Sequence, residues 1–454
     1  MATTSGAISP LADAVAFGGT RRLVVLGFGA IGAGLFAYEA HRSGAYASPL
    51  VVDVQADLVA GLRAGGGRFR LNIARADGID RTELGSVDVA DPMNAADRER
   101  IVEAIAVADE IATALPSVEL YDTPVAHSPH LLLAQGLVAR SAARPLIVFC
   151  AENRRHAAAL LEKAVMRAIR PAARDRVRER VRYADTVIGK MSGVVSDLAE
   201  VEALGLATIT PALPSAFLVE EFDRILVSRI DPDGGADALH PGMPALREVD
   251  DLAPFEDAKL LGHNATHALA GFLGSLLSLT RVAELRHVPA AMAFLRAAFL
   301  EESGRALIAR HAGADALFTP QGFATYADDL LARMVNPWLA DSIERAARDP
   351  HRKLGWDDRL IGLIRLGRAH GIATPRYAMG VAAGLELLRR RGAVGSPAEI
   401  LAGCWPTRVD ERAARGVIAE VADGIELLAE WQAHGFAVVG GSPRLSGSSR
   451  LSGS

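Results

Sequence analysis

The sequence predicts an α/β protein in two parts: a doubly wound parallel sheet with helices on both faces, then a mainly α-helical domain. Three observations carry this. Continuous apolar runs such as RRLVVLGFG (21–29) and PLVVDV (49–54) alternate with helical patterns in the first half. A strand buried on both faces has no polar side, so its apolar run is unbroken, and strands that alternate with helices form a parallel sheet. Beyond about residue 225, Ala/Leu/Arg patterns recur at helical spacing with no convincing strand. Finally, 454 residues are too many for one hydrophobic core.

Taken in order, residues 1–20 read as a flexible arm without the basic opening of a secretory signal. The first domain, 21–225, starts with the 21–29 strand, the helix AIGAGLFAYEAHRSG, the 49–54 strand and the helix DLVAGLRAGG. ADEIATALP (108–116) and RPLIVFCAEN (144–153) add strands, with helical patterns between them. Residues 209–251 are rich in Pro and Gly and read as the join. The helical domain, 226–440, carries HALAGFLGSLLSLTRVAEL, VPAAMAFLRAAFLEESGRALIARHAG, DDLLARMVNPWLADSIERAAR, RYAMGVAAGLELLRRRG and RGVIAEVADGIELLAEWQ. The Gly/Ser-rich end, 441–454, reads as a flexible tail.

Composition removes several function classes. Half the residues are apolar and 23% are charged, as in globular proteins. A net charge of −5 gives no basic field for nucleic acid. No stretch approaches the roughly 18 consecutive uncharged apolar residues that suggest a membrane span. Two distant cysteines, Cys150 and Cys404, suit a reducing compartment, so a cytoplasmic location is expected. The 12 histidines show no H-E-x-x-H spacing, and no catalytic metal is expected. Ser192-Gly193 and Ser303-Gly304 lack the frame of a hydrolase elbow.

Gly27, Phe28, Gly29, Ala30, Ile31 and Gly32 fit G-x-G-x-x-G directly after a strand and at the start of a helix. Such glycines let the backbone approach a pyrophosphate at the helix N-terminus. Asp53 ends the next strand, 21 residues after Gly32. Its carboxylate suits ribose hydroxyls and disfavours the extra phosphate of NADP, so NAD is the expected cofactor of a Rossmann-type domain. Ile31 and Thr113 are counted with that site. The plainer reading is a glycine-rich turn without cofactor, with Asp53 as a cap.

In KLLGHNATHA (259–268), Lys259, Asn264 and His267 stand at spacings of five and three. At about 100° per residue, Asn264 lies about 140° and His267 about 80° round an α-helix from Lys259. Alcohol oxidation needs a base, and a desolvated lysine has its pKa lowered enough to serve. An asparagine can hold the forming carbonyl oxygen and a histidine can orient the hydroxyl. By spacing alone, a solvated amphipathic helix is the stronger reading.

K-x4-N-x2-H resembles the signature of the polyol-specific long-chain dehydrogenases. CAEN (150–153), EESGRALIARH (301–311), NPWLADSIERAARDPHRKL (336–354) and GWDDRLIGLIR (355–365) extend the resemblance over roughly residues 20–390, and it runs closest to the mannitol-1-phosphate 5-dehydrogenases. The resemblance implies a Rossmann-type domain followed by a helical one, with the site in the cleft between them. It implies metal-independent hydride transfer with Lys259 as base, Asn153 and Asn264 polarising the carbonyl oxygen, and His267 orienting the substrate. It also implies a monomer or homodimer.

The sequence departs from that pattern at Ala30 and Ala33, where the family turn has Asn and Arg, and at IGKMSG (188–193). His263, about 40° from Lys259 on an ideal helix, stands where the family has an apolar residue; it reads as substrate-side, relaying protons, or merely half exposed. Arg345, Arg348, Arg352 and Lys353 form a basic run that either clamps a substrate phosphate or is a solvated face. The expected reaction interconverts mannitol 1-phosphate and fructose 6-phosphate or a close analogue. The alternatives are a divergent enzyme acting on an unphosphorylated polyol or other hydroxylated metabolite, and an inactive dinucleotide-binding protein.

Overall fold

The computed structural model describes residues 12–15, 17–141, 144–189, 191–220, 224–231, 238–439, 442 and 445. Most of the expected arm and nearly all of the expected tail lie outside these. The chain divides into two compact units, with the boundary between Leu252 and Ala253.

The strands of the first unit are β1 (Ala12–Val15), β2 (Leu23–Leu26), β3 (Leu50–Val52), β4 (Phe69–Ala74), β5 (Ile79–Leu84), β6 (Asp88–Ala90) and β7 (Glu110–Thr113). Then come β8 (Leu146–Cys150), β9 (Val181–Val187), β10 (Ser192–Val195), β11 (Ala216–Glu220), β12 (Ile225–Ser228) and β13 (Leu246–Val249). The main sheet has the order β13-β12-β9-β8-β7-β2-β3-β6. From β6 to β9 every pairing is parallel, which is the expected doubly wound core.

The unbroken apolar runs have the predicted cause. Leu23, Val25, Val51, Ile147 and Phe149 enter one core cluster. Their neighbours Val24, Leu26, Leu50, Val52, Leu146 and Val148 enter another. Successive side chains of a strand point to opposite faces, so both faces of the sheet are buried.

Two expectations need correction. Strands do occur after residue 225: β12 runs antiparallel to β9 and parallel to β13. The Pro- and Gly-rich stretch read as a join thus supplies β11, β12 and β13. Secondly, the region between the first sheet strands is not only helical. It contributes β4 and β5 to a second sheet, ordered β1-β5-β4-β11-β10. Phe69, Leu71, Ile73, Phe217 and Val219 of that sheet join the first core cluster. Asn72, fully buried on β4, donates to the carbonyls of Ala207 and Phe217 and accepts from the Ala207 amide, so a polar residue there is satisfied by backbone.

Among its described residues the second unit contains no strand. Its central helix runs through residues 253–276 and packs against Ile343–Ala347 and Pro375–Arg390. That helix is not uniform: Ala258–His263 is a π-helical turn between α-helical segments. A second π-turn, Ala298–Gly304, interrupts another helix of the unit, and a third, Gly32–Ala37, follows the glycine turn of the first unit.

Candidate active site

Parallel strands put their carboxyl ends on one edge. Gly27, Asp53, Ala114 and Ala151 therefore follow β2, β3, β7 and β8 along a single rim of the first unit. The strand order reverses between β2 and β7, and ligands of open α/β sheets bind at such a switch point.

Gly27 has φ +94°, and a Cβ there would stand 2.6 Å from the Ala114 carbonyl oxygen. At Gly32 a Cβ would stand 2.2 Å from the Gly27 oxygen. Both positions need glycine. Nothing lies within 4 Å of a Cβ at Gly29, so the turn is open where the backbone must meet a phosphate.

Asp53 accepts the Phe28 amide at 2.8 Å on one carboxylate oxygen and the Gln55 amide at 2.9 Å on the other. It fixes the turn, and each oxygen retains a lone pair for a ribose hydroxyl. These residues fit a dinucleotide. Ile31 packs against the apolar core behind the turn. Ala30 and Ala33 are buried in that core, so the departures from the family turn are packing residues here.

Thr113 is fully buried, and its hydroxyl donates to Glu152 at 2.9 Å, so its side chain is turned inward. Glu152, missed in the sequence, also accepts the Tyr121 hydroxyl and the Leu115 amide. Burial pushes its carboxyl above the usual range. It anchors the loop on which Asn153 is exposed. The C-E-N run was the available signal.

In the second unit, Lys259, His263, Asn264 and His267 come together along the central helix. The angular estimate made for them is corrected by the π-turn. The Asn264 amide donates to the Lys259 carbonyl, five residues back. An i→i+5 bond closes a wider turn, so five residues make about one turn. Lys259 and Asn264 are thus drawn toward one face instead of splayed by about 140°. Burial, reinforced by Arg359 and opposed by Glu256, lowers the Lys259 pKa to about 8. Burial and the neighbouring His267, Arg333 and Lys259 hold His263 well below its ordinary value, hence neutral. Its ring meets that of His267 edge-on, with centroids 6.4 Å apart.

His267 Nε2 donates to Asp341 Oδ2 at 2.7 Å, and Arg345 Nε donates to Asp341 Oδ1 at 2.9 Å. Hydrogen bonds and charge from both partners outweigh burial and keep the Asp341 carboxyl well below the usual range. Asp341 was missed. Its i, i+4 spacing to Arg345 was legible, but the fold alone brings it to His267.

The basic run is not a single clamp. Arg345 is held by Asp341, whereas Arg352 is held by Asp349 and Asp358. Lys353 is buried, and its ammonium donates to the Ala346 carbonyl. Burial, with Arg359, Arg352 and Arg348 nearby, lowers its pKa to about 8. Arg348 is exposed. Among the described residues, no group of three or more His, Cys, Asp or Glu side chains is placed to hold a metal. Among the described residues, no helix is long and apolar enough to cross a membrane.

Comparison with known proteins now adds to this geometry. Residues 21–231 match the mannitol dehydrogenase Rossmann domain, and residues 251–430 match the mannitol dehydrogenase C-terminal domain. The chain belongs to the mannitol dehydrogenase family. It is accordingly an NAD-dependent oxidoreductase acting on CH–OH groups, a polyol dehydrogenase. Two solved structures share the fold of this family member. D-sorbitol dehydrogenase in substrate-free form matches at 16% identity and TM-score 0.73, over 94% of this chain and 96% of that one. Pseudomonas fluorescens mannitol 2-dehydrogenase, in ternary complex with NAD and D-mannitol, matches at 16% identity and TM-score 0.66, over 93% and 94%.

Proposed function

We propose that this family member interconverts an unphosphorylated polyol and its ketose, with Lys259 as the proton acceptor in oxidation. The observation that carries the role of Lys259 is its lowered pKa of about 8 on the turn it shares with Asn264. Near neutral pH a usable fraction of the amine is uncharged, and it takes the proton of the reacting hydroxyl. In the reverse direction the ammonium returns it. Asn264 donates an amide N–H to the same oxygen as it becomes a carbonyl.

The ionised Asp341 accepts from Nε2 of His267, so whenever the ring is neutral its proton sits on Nε2 and its lone pair on Nδ1. Nδ1 then accepts from a substrate hydroxyl and orients it. Bound NAD supplies the hydride acceptor for oxidation, and NADH the donor for reduction. Gly27, Gly29, Gly32 and Asp53 hold it.

The engagement of Arg345, Arg352 and Lys353 by protein groups supports the unphosphorylated substrate, as do the names of the two structural neighbours. A sugar phosphate such as fructose 6-phosphate is the second reading, favoured by exposed Arg348 beside Arg352. Parallel NADH oxidation assays with D-fructose and fructose 6-phosphate decide. Turnover confined to the phosphate ester reverses the preference and assigns the basic run to the phosphate.

A further inference from the structure

The π-turn at Ala258–His263 needs a reason to persist, because an α-helical register is the default for this backbone. Its reason lies behind it. The Ser303 hydroxyl donates to the Leu261 carbonyl at 2.9 Å. The Thr266 hydroxyl donates to the Gly262 carbonyl at 2.9 Å and meets the Tyr377 hydroxyl at 2.7 Å. Thr266 Oγ1 cannot spend its one proton twice, so Tyr377 is the donor to it. Tyr377 is placed in turn by Glu302, whose carboxylate accepts the backbone amides of Arg376 and Tyr377 at 3.0 and 3.2 Å and the Arg376 guanidinium at 3.1 Å. Ser303, Thr266 and Tyr377 are at most 1% exposed, and Glu302 is 2% exposed.

Two π-turns meet here. Ser303 and Glu302 belong to the second, Ala298–Gly304, and a Cβ at Gly262 would stand 3.0 Å from the Phe299 ring of that turn. Side-chain hydroxyls that bond helix carbonyls compete with the helical ladder and bend it. In this place two of them hold carbonyls of the very turn that carries Lys259.

We propose that Thr266, Tyr377 and Ser303 are positioning residues: their buried hydroxyl chain holds Ala258–His263 in the wide register that sets Lys259 beside Asn264. The proposal rests on the role of Lys259 given above. It extends the working parts of the enzyme to the EESG run of 301–304 and to Tyr377, neither of which touches the reacting groups. Glu256 from the same helix, Arg359 from the helix Arg359–Ala369, and His263 are the ionisable groups whose charges act on or from Lys259. None of them belongs to the chain.

The test is Thr266→Val with Tyr377→Phe, which removes both hydroxyls and leaves neither as an orphan. Ser303→Ala is the independent variant. Two readouts are needed. One is the pH dependence of Lys259 labelling by acetic anhydride, followed by peptide mass spectrometry on the full chain. The other is kcat with D-mannitol and NAD, against NADH binding followed by fluorescence.

The expected result is a Lys259 titration that moves up from about 8 toward 10.5. With it, kcat falls between about 10- and 100-fold, the loss typical of a misplaced reacting group, while NADH binding is unchanged. Thr266→Ser, which keeps the hydroxyl, restores both readouts. Folded variants with wild-type Lys259 titration and kcat overturn the proposal and reduce the chain to a packing feature. Lys259→Ala separates the two readings. If it keeps turnover, the role of Lys259 falls and the proposal with it. If it is inactive while the hydroxyl variants behave as wild type, only the proposal falls.

Discussion

Asp341→Asn tests the site most sharply, because one buried carboxylate there serves two partners. Its side chain is 3% exposed and accepts from His267 Nε2 and from Arg345 Nε. A hydrogen bond to a charged group contributes about 1.5–3 kcal/mol. The Arg345 side chain is 50% exposed and regains water when released, so most of the loss falls on the His267 bond. A destabilisation of about 2 kcal/mol follows. The effect on turnover is larger. An amide NH2 turned toward the ring makes Nε2 the acceptor and moves the imidazole proton to Nδ1, which then meets a substrate hydroxyl as a donor. Loss of one preorganised partner costs about 2.7–4 kcal/mol in the barrier, or 10²–10³ in kcat. The assay is steady-state NADH formation from D-mannitol, with KM for NAD as the control that should not move. Because the native carboxyl pKa lies below its ordinary 3.8, its stabilisation is present above that pH and fades as pH falls further. Wild type and variant should therefore converge in stability only in strong acid. A variant with wild-type kcat at pH 7 refutes the assigned role of His267 and Asp341.

Three further outcomes follow from the same geometry. Oxidation should rise with pH through about 8 and reduction should fall through the same value, since the first needs the Lys259 amine and the second its ammonium; a flat profile across that range removes Lys259 as the titrating group. Asp53→Asn should weaken NAD binding and narrow the preference over NADP, because it removes the negative charge while keeping one acceptor for the Phe28 amide; an unchanged NAD/NADP ratio measured by KM counts against Asp53 as the ribose-side carboxylate. Glu302 is raised to about 7 by burial, so the folded state holds a proton that the unfolded state releases above about 4.5. Stability should accordingly decline as pH rises between those values, and Glu302→Gln should flatten that slope in thermal melts.

The main sheet was legible because burial on both faces writes itself as unbroken apolar runs, as in LVVL and LIVFC. The second sheet was not. Its β5, IDRTEL, is polar and half exposed along most of its length, and β4 carries the buried Asn72 at a position that reads as a break. The strands β12 and β13 are four residues each and sit among Pro and Gly, where turn signals drown a short apolar run. In the site, the residue types at 259, 264 and 267 were readable but their angular relation was not, because a uniform 100° per residue was assumed across a turn that is not α-helical. Glu152 and Asp341 were hidden for another reason: each acts through a partner distant in sequence, 39 residues away for Thr113 and 74 for His267.

The π-turn also has a consequence for how this motif can change over time. A helix passes from i→i+4 to i→i+5 bonding when it accommodates one extra residue. Lys259 and Asn264 are therefore separated by one residue more than an α-helix would use to align them. Loss of a single residue at Leu260 or Leu261 would let the helix relax to ordinary bonding and still leave lysine and asparagine on one face, four apart. It would also discard the register that Ser303 and Thr266 hold. Length changes of one residue, usually lethal inside a buried helix, thus have a permitted form at this point. Conversely, variants of this segment that keep its length but rebuild its composition should tolerate less than their exposure suggests.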